Sequence, residues 1–189
     1  MNLSDLVKKN RTYRRFDQSA LVTRDSIIEM LSLVRYCASG RNAQPLRYLV
    51  VTDKNNCDKV FQNIKWAGFL TDWDGPKKGE RPTAYIIQLL DTRIVKDCLC
   101  DDGLHLQTIT MAAVDKGLGA CIFKSFNNGN LRIIFELPEY MQILYVVAIG
   151  KPIEEVVITD QQGEDYKYWR DNNGTHYVPK RSVDELLNF

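Results

Sequence analysis

The sequence predicts one domain in which helices and strands alternate around a central sheet, as in an α/β or α+β fold. Two nearly continuous apolar runs, Tyr85–Leu90 and Ile143–Ile149, have the pattern of strands that are buried on both faces. Between them, Leu104–Leu118 is a helical segment that is apolar on most sides, which is typical of a helix buried in a core or between subunits. The 189 residues contain no repeat or low-complexity linker that would divide them, and they are enough for one core.

Periodicity, capping residues and helix breakers define the other elements. A first helix is predicted at residues 3–10, and a second at Ser26–Cys37, for which Thr23 offers an N-cap. The remaining predicted elements are a strand at Leu46–Val51, a helix at Asn55–Ile64, a strand at Ala120–Phe123 and a short helix at residues 130–136. From Gln161 onward the chain is polar and aromatic without a clean period, so this tail needs a surface to pack against.

Composition excludes several classes of protein. No apolar run approaches the roughly 20 residues that cross a bilayer, and Met1–Lys9 is an amphipathic start, so we expect a cytoplasmic protein. The net charge of +1 indicates neither nucleic acid nor a membrane as partner. Of the five cysteines, Cys98 and Cys100 form the best candidate for a metal site, but no second ligand pair lies nearby. We expect reduced, mostly buried thiols and no metal.

The most informative segment is the polar, turn-forming run Ala38–Arg47, which directly precedes the apolar residues of a strand. Its small and amide residues let the backbone turn tightly, and such a loop suits a planar ligand with polar edges and a phosphate. Taken alone, the run is better explained as an ordinary helix-to-strand loop that happens to be polar. Two clusters of cations, within Arg11–Arg15 and at Lys180–Arg181, are local concentrations of charge in a nearly neutral chain.

Five segments, in this order and at compatible spacing, resemble the nitroreductase family of flavin oxidoreductases. They are Asn10–Phe16, Ala38–Leu46, Ala112–Cys121, Tyr145–Pro152 and Lys180–Arg181. Three positions depart from the family pattern: Asn10 replaces a phosphate-binding arginine, Ala38 a proline and Leu46 a tryptophan. The chain is also short between residues 60 and 82, so the segment that covers the substrate is the least transferable part.

The resemblance implies an α+β three-layer sandwich, with a mainly antiparallel central sheet flanked by helices, in an intertwined homodimer. Residues 1–189 would form one domain whose tail, about residues 161–189, extends onto the partner subunit. The family binds FMN at the interface, oxidises NADH or NADPH, and reduces a small nitroaromatic or quinone-like acceptor by a ping-pong mechanism. The flavin carries the chemistry, so no catalytic side chain is expected. The alternatives are a flavin-binding sensor or carrier without turnover, and a structural domain with a vacant site.

The resemblance also implies which residues bind FMN. The first group serves the phosphate, the ribityl oxygens and the N1/O2 edge of the ring, and it consists of Arg11, Thr12, Arg14, Lys180 and Arg181. Charge-assisted bonds contribute roughly 1.5–3 kcal/mol each, so loss of Arg11 or Arg181 is expected to remove most of the bound flavin. The second group comes from the other subunit and lines the ring and ribityl chain: Ala38, Ser39, Gly40, Asn42 and Gln44. The third group lies across the ring, with the backbone N–H of Lys124 nearest N5: Ile122, Lys124 and Ser125.

The roles of several other side chains stay open. His105 lies on the buried type of helix and is expected to be a satisfied core or interface group, whereas His176 faces either the active site or solvent. Trp66, Phe69 and Trp73 have helical spacing. They form either an aromatic lid over a flat substrate or a hydrophobic seam that fixes the segment to the core, and we favour the seam.

Overall fold

The computed structural model describes residues 1–187, and at its centre lies a five-stranded antiparallel sheet. Its strands are β1 (Phe16–Asp17), β2 (Leu46–Val51), β3 (Ala84–Asp91), β4 (Gly119–Phe123) and β5 (Met141–Pro152). The order across the sheet is β1-β5-β3-β2, and β4 also pairs with β5, along Val146–Gly150. The predicted strand at Leu46–Val51 is therefore confirmed with both of its boundaries.

Helices cover both faces of this sheet and produce three layers. The described helices are α1 (Leu3–Lys9), α2 (Arg24–Val34), α3 (Lys54–Gln62), α4 (Asp101–Asp115), α5 (Asn128–Ile134) and α6 (Val183–Leu187), of which α2 to α5 pack on the sheet. On one face, α2 and α4 bury Met30 and Ile109 against Ile86; on the other, α3 and α5 bury Val60 and Leu131. All eight residues of β3 are buried because both of its faces are covered. The α+β sandwich is confirmed.

The helix boundaries differ from the prediction by a few residues, for local reasons. Helix α2 begins at Arg24, directly after Thr23, whose side chain accepts a hydrogen bond from the backbone N–H of Ser26 and confirms the predicted N-cap. Helix α4 begins three residues earlier than predicted because its polar first turn, with Asp101 and Asp102, carries no apolar signal. It ends earlier because Gly117, with φ +69°, turns the chain out of the helix.

Two facing glycines let the arginine-bearing segment lie directly on the sheet. Gly119 of β4 and Gly150 of β5 are partners in register. A Cβ at Gly119 would lie 2.4 Å from Cδ2 of Tyr13, and one at Gly150 would lie 2.8 Å from Cδ1 of Phe16. The backbone N–H of Tyr13 also donates to the carbonyl of Ala120 at 3.0 Å. This close approach fixes residues 13–16, and with them Arg14, above the sheet.

The tail contains more regular structure than the sequence predicts. A second, three-stranded sheet has the order β6-β8-β7 and consists of β6 (Val156–Asp160), β7 (Trp169–Arg170) and β8 (His176–Lys180). The strand β8 pairs parallel to β6 of its own chain. The expectation that residues 161–189 reach a partner stays a prediction, and residues 188–189 of that range lie outside the described part.

The segment that follows α3 is irregular rather than helical, so the helical spacing of its aromatic residues is misleading. Trp66 is buried and packs edge-to-face on Phe123 and Trp73, with ring centroids 4.7 and 6.1 Å away. The predicted seam is confirmed for these two tryptophans. Phe69 instead lies half-exposed against Tyr168 of the tail. Among the described helices none is long and apolar enough to cross a membrane.

The close approach of residues 13–16 to Gly119 can be tested by adding a methyl group at that glycine. Gly119→Ala should lower the free energy of unfolding by about 1–3 kcal/mol, because the new methyl overlaps the Tyr13 ring and a side-chain carbon of Pro152. Gly103→Ala is the matched control: nothing lies within 4 Å of a Cβ at this helical position, so stability should rise by about 0.5–1 kcal/mol. Urea unfolding measures both changes. Equal effects of the two substitutions on stability would contradict the close approach of Tyr13 to Gly119.

Candidate functional site

A cavity of about 430 Å³ lies between the end of α1, the helix α4 and the second sheet. Four residues of the first predicted group line it together: Arg11, Thr12, Arg14 and Lys180. Its size falls in the range of small-molecule sites. The structure therefore brings together cations that lie about 170 residues apart in the sequence, at the two ends of the chain.

The guanidinium of Arg14 is buried in the wall of this cavity, with 8% of the residue exposed. Its Nη1 lies 3.4 Å from the carbonyl oxygen of Thr12 and 3.0 Å from Nε2 of His176. Its central carbon stands 4.6 Å from the centre of the Tyr168 ring. All three partners are neutral, and no carboxylate of the described residues forms an ion pair with it. A buried cation without a counter-ion is costly, which makes this position suited to an anionic ligand.

The carboxylates nearby are engaged elsewhere. Both oxygens of Glu80 accept from the Arg15 guanidinium, at 2.8 and 3.1 Å. The buried Glu154 accepts from the backbone N–H groups of Arg14 and Arg15 through one oxygen, and from Arg170 at 2.9 Å through the other. Of the two adjacent arginines, Arg15 is thus neutralised and Arg14 is not. Glu154 fixes the backbone of Arg14 while leaving its charge available.

The structure shows which way His176 faces, which the sequence left open. It is fully buried on β8 and faces Arg14 rather than solvent. Burial, followed by the charges of Arg14 and Arg170, lowers the pKa of His176 to about 4. The ring is therefore neutral near pH 7, and its Nε2 accepts the hydrogen bond from Arg14. Together with Tyr168, it holds the guanidinium in place without neutralising it.

The other cations of the first group differ in what they contact. The Nη2 of Arg11 donates to the carbonyl of Val7 at 2.8 Å, but its buried Nε has no partner within residues 1–187. Asn10, which stands at a position where the family pattern has an arginine, donates from Nδ2 to the Thr110 hydroxyl at 2.8 Å and so ties α1 to α4. The Asn10 amide is therefore engaged within the chain, whereas Arg11 keeps a donor without a partner in residues 1–187.

The structure separates Lys180 from Arg181. Lys180 ends β8 and lines the cavity. Arg181 does not line it, and its guanidinium forms ion pairs with Glu164 at 3.1 Å and Glu185 at 3.7 Å. Successive side chains along an extended chain point to opposite sides, which explains the difference. The resemblance implies one role for the two residues, and no strand pattern in the tail indicates that their side chains diverge.

The loop that contains the second predicted group is strained and rigidly held. Three non-glycine residues in it have positive φ: Arg41 at 55°, Asn42 at 54° and Gln44 at 49°. The buried carboxylate of Asp101 accepts from the Ser39 hydroxyl at 2.6 Å and from the Gly40 N–H at 2.8 Å. Strain of this kind persists where surrounding contacts impose it, and it is common at binding sites.

None of the second group, Ala38, Ser39, Gly40, Asn42 and Gln44, lines the Arg14 cavity of its own chain. Gly40 instead lines a different cavity, together with residues 94–99. The amide of Gln44 donates to the backbone and side-chain oxygens of Asn42, at 3.2 and 3.1 Å. Sequence reasoning did not identify Asp101 as the residue that organises this loop. An acidic residue in the first turn of a helix is already explained by the helix dipole, so it gives no sign of a second role.

The third group also lies outside the cavity. The side chain of Ile122 is partly exposed on β4. Nζ of Lys124 donates to the Leu144 carbonyl at 3.2 Å and stands 4.2 Å from the centre of the Tyr145 ring. The carbonyl of Ser125 accepts from the Lys65 N–H at 3.0 Å. The Lys124 side chain thus packs on β5, and the predicted role of its backbone N–H stays a prediction.

His105 and the cysteines do not add to the site. His105 is buried, and its Nδ1 lies 2.6 Å from the Tyr48 hydroxyl, which confirms a satisfied core group. All five cysteines are free thiols; Cys57, Cys98 and Cys121 are buried. Within residues 1–187 no three histidine, cysteine or carboxylate side chains are grouped as metal ligands would be.

Comparisons with known proteins agree with the resemblance. Residues 7–86 match the model of the Nitroreductase family. The iodotyrosine deiodinase of Thermotoga neapolitana is 23% identical over 167 residues, which cover 79% of this chain and 88% of the deiodinase. Among solved structures, a nitroreductase family protein from Streptococcus pneumoniae aligns over 100% of both chains with a TM-score of 0.72 at 15% identity. An FMN-dependent nitroreductase from Clostridium difficile aligns over 90% of this chain and 99% of its own, with a TM-score of 0.65 at 18% identity.

The buried neutral histidine predicts how stability depends on pH. The pKa of His176 is about 4 in the folded protein, against an ordinary value of 6.5. Between these two values the imidazole of His176 is protonated in the unfolded chain but not in the folded chain. The free energy of unfolding should therefore fall as the pH drops below 6.5, by at most about 1.4 kcal/mol per pH unit.

Urea unfolding between pH 5 and 7 measures this slope. His176→Gln keeps an acceptor for Arg14 but does not titrate, so its curve should be flatter over that window. His105, whose pKa burial also lowers, contributes equally to both proteins. Identical slopes in the two proteins would contradict the assignment of a neutral, buried His176.

Proposed function

Because residues 7–86 match the nitroreductase family and the chain has the fold of that family's solved structures, we propose that this protein is an FMN-dependent oxidoreductase. The observation that carries the proposal is the buried Arg14 guanidinium, which has only neutral partners in the described chain. A flavin needs positive charge beside its N1/O2 edge to stabilise the reduced, anionic ring. Arg14 is the residue that would supply this charge.

The donors of the cavity fit the other end of FMN as well. A phosphate dianion binds best to several charge-assisted donors. Arg11, Thr12 and Lys180 line the same cavity as Arg14, and the buried Nε of Arg11 is a donor without a partner in residues 1–187. These three residues would hold the phosphate and ribityl oxygens. Arg181, which lies next to Lys180, would contribute little, because its exposed guanidinium is already paired with Glu164 and Glu185.

We further propose that a homodimer completes the site. The helices α1 and α6 bury none of their described residues within one chain, and they expose apolar side chains such as Leu3 and Leu186. Exposed apolar faces of this kind indicate a protein–protein interface. The partner would bring the strained loop, with Ala38, Ser39, Gly40, Asn42 and Gln44, to the flavin ring. The tail beyond residue 161 would pack on the partner, and Ile122, Lys124 and Ser125 would lie across the ring.

The reductant in this proposal is NADH or NADPH, and the acceptor is a small nitroaromatic or quinone-like molecule. When bound, FMN supplies the hydride and electron transfer. The side chains of the cavity bind and orient, and none of them is required as an acid or base. Both substrates would use the same open face in turn, which gives ping-pong kinetics. The alternative is a flavin-binding sensor or carrier without turnover, and the replacement of a phosphate-binding arginine by Asn10, whose amide is bound to Thr110, favours it.

Steady-state kinetics of the FMN-loaded protein tests the proposed activity. With NADH or NADPH and a quinone as substrates, double-reciprocal plots at several quinone concentrations should give parallel lines. Intersecting lines would contradict alternating use of one face. Bound FMN without any oxidation of either nicotinamide would favour the sensor or carrier.

A matched pair of variants tests the arrangement of the phosphate donors. Lys180→Ala should weaken FMN binding by about tenfold or more, because it removes a charged donor from the cavity. Arg181→Ala should change the affinity less than threefold, since this guanidinium is exposed and paired with glutamates. This expectation replaces the large loss that the sequence alone predicts for Arg181.

Fluorescence titration of the apoprotein with FMN measures both affinities, and circular dichroism checks that both variants fold. A larger loss in Arg181→Ala than in Lys180→Ala would contradict this arrangement.

A further inference from the structure

A second cavity, of about 280 Å³, lies away from the Arg14 cavity and shares no lining residue with it. It is enclosed by α3, the beginning of β3 and residues 18–21. Phe61, Leu21 and Pro82 give it apolar walls. Its volume is just below the range of about 300–1,000 Å³ that is usual for ligand pockets, so it would admit a small molecule.

Tyr85, which lines this cavity, has a hydroxyl group without a partner. The residue is fully buried, and the hydroxyl oxygen makes no hydrogen bond within residues 1–187. Burial raises the pKa of Tyr85 well above its usual value, so the hydroxyl stays protonated and can donate. The neighbouring Cys57 thiol is engaged with the carbonyl oxygens of Val51 and Thr83, at 3.7 and 3.5 Å. A buried polar group left unpaired in this way requires an explanation.

Arg81 offers a second donor in the same cavity. Its buried Nε also lacks a partner in the described chain, and its central carbon stands 4.0 Å from the centre of the Phe61 ring. Its Nη1 lies 3.9 Å from Oδ1 of Asp58, which is the outer limit of an ion pair. Two residues that line this cavity, one of them a cation, therefore each carry a donor without a partner in residues 1–187.

The charges that line this cavity do not balance. Lys54 and Arg81 are cations, and they share the single carboxylate of Asp58, which lies 3.2 Å from the Lys54 amine. One positive charge is left over beside apolar walls. An anion with an apolar body would match both features, because its charged end would meet the donors and its body would cover Phe61 and Leu21.

We propose that this second cavity binds a small, mainly apolar carboxylate whose oxygens accept from the Tyr85 hydroxyl and from Nε of Arg81. The body of the ligand packs between Phe61, Leu21 and Pro82. The proposal is independent of the flavin assignment, since none of these residues lines the Arg14 cavity.

Ligand-observed saturation-transfer NMR on the FMN-saturated protein tests the proposal. The probes are benzoate, phenylacetate and 3-methylbutanoate, each with its neutral amide. At least one acid should bind, and it should bind more tightly than its amide. Tyr85→Phe should weaken that acid by about tenfold, because the lost bond is to a charged acceptor.

Tyr177→Phe is the matched control. It also removes a tyrosine hydroxyl, which here bonds to Asp171 at 3.3 Å outside the cavity, and it should leave acid binding unchanged. Both variants should bind FMN as the wild type does. Failure of all three acids to bind, equal binding of acids and amides, or undiminished binding to Tyr85→Phe would overturn the proposal and leave a cavity that holds water only.

The melting temperature of the ligand-free protein gives a second, separate test. Tyr85→Phe should leave it unchanged or raise it, because removing a hydroxyl that has no partner costs no hydrogen bond. A fall of several degrees would mean that the hydroxyl is already satisfied, and it would overturn the proposal.

Discussion

The close approach of residues 13–16 to the sheet is the constraint on which the rest of the site depends. It requires the absence of a side chain at two facing positions, Gly119 and Gly150, because the rings of Tyr13 and Phe16 occupy that space. With its backbone fixed there and bound to the buried Glu154, Arg14 has its guanidinium directed at the second sheet. The tail can then contact it from the other side.

The electrostatics of the site follow from how three carboxylates are used. Glu80 neutralises Arg15, Glu154 binds backbone N–H groups and Arg170, and Asp101 organises the strained loop. Each is satisfied without reaching the Arg14 guanidinium, which is held instead by a neutral histidine and a tyrosine ring. A buried charge arranged in this way destabilises the ligand-free protein and favours the form that has bound an anion.

The sequence predicts the layers of the fold well because hydrophobic period is a local property. The run Leu46–Val51 and the buried strand around Tyr85–Leu90 are recognisable from their own residues. The cations of the first group were found through their order along the chain. The partners of Arg14 were not, since His176 lies 162 residues away in a tail without a clear period. Asp101 was missed partly for this reason, since it lies 62 residues from Ser39, and partly because an acidic residue in a first helical turn needs no other role. Contacts between distant residues leave no local pattern.

The central claim is that this chain holds a flavin that a nicotinamide reduces, and the visible absorption spectrum of the freshly purified protein tests it most directly. We expect the absorption bands of an oxidised flavin, in an amount that matches the protein, and their bleaching when NADH or NADPH is added without oxygen. A colourless protein that added FMN cannot reconstitute would contradict the cofactor assignment. A flavin that resists both nicotinamides would contradict the proposed reductant.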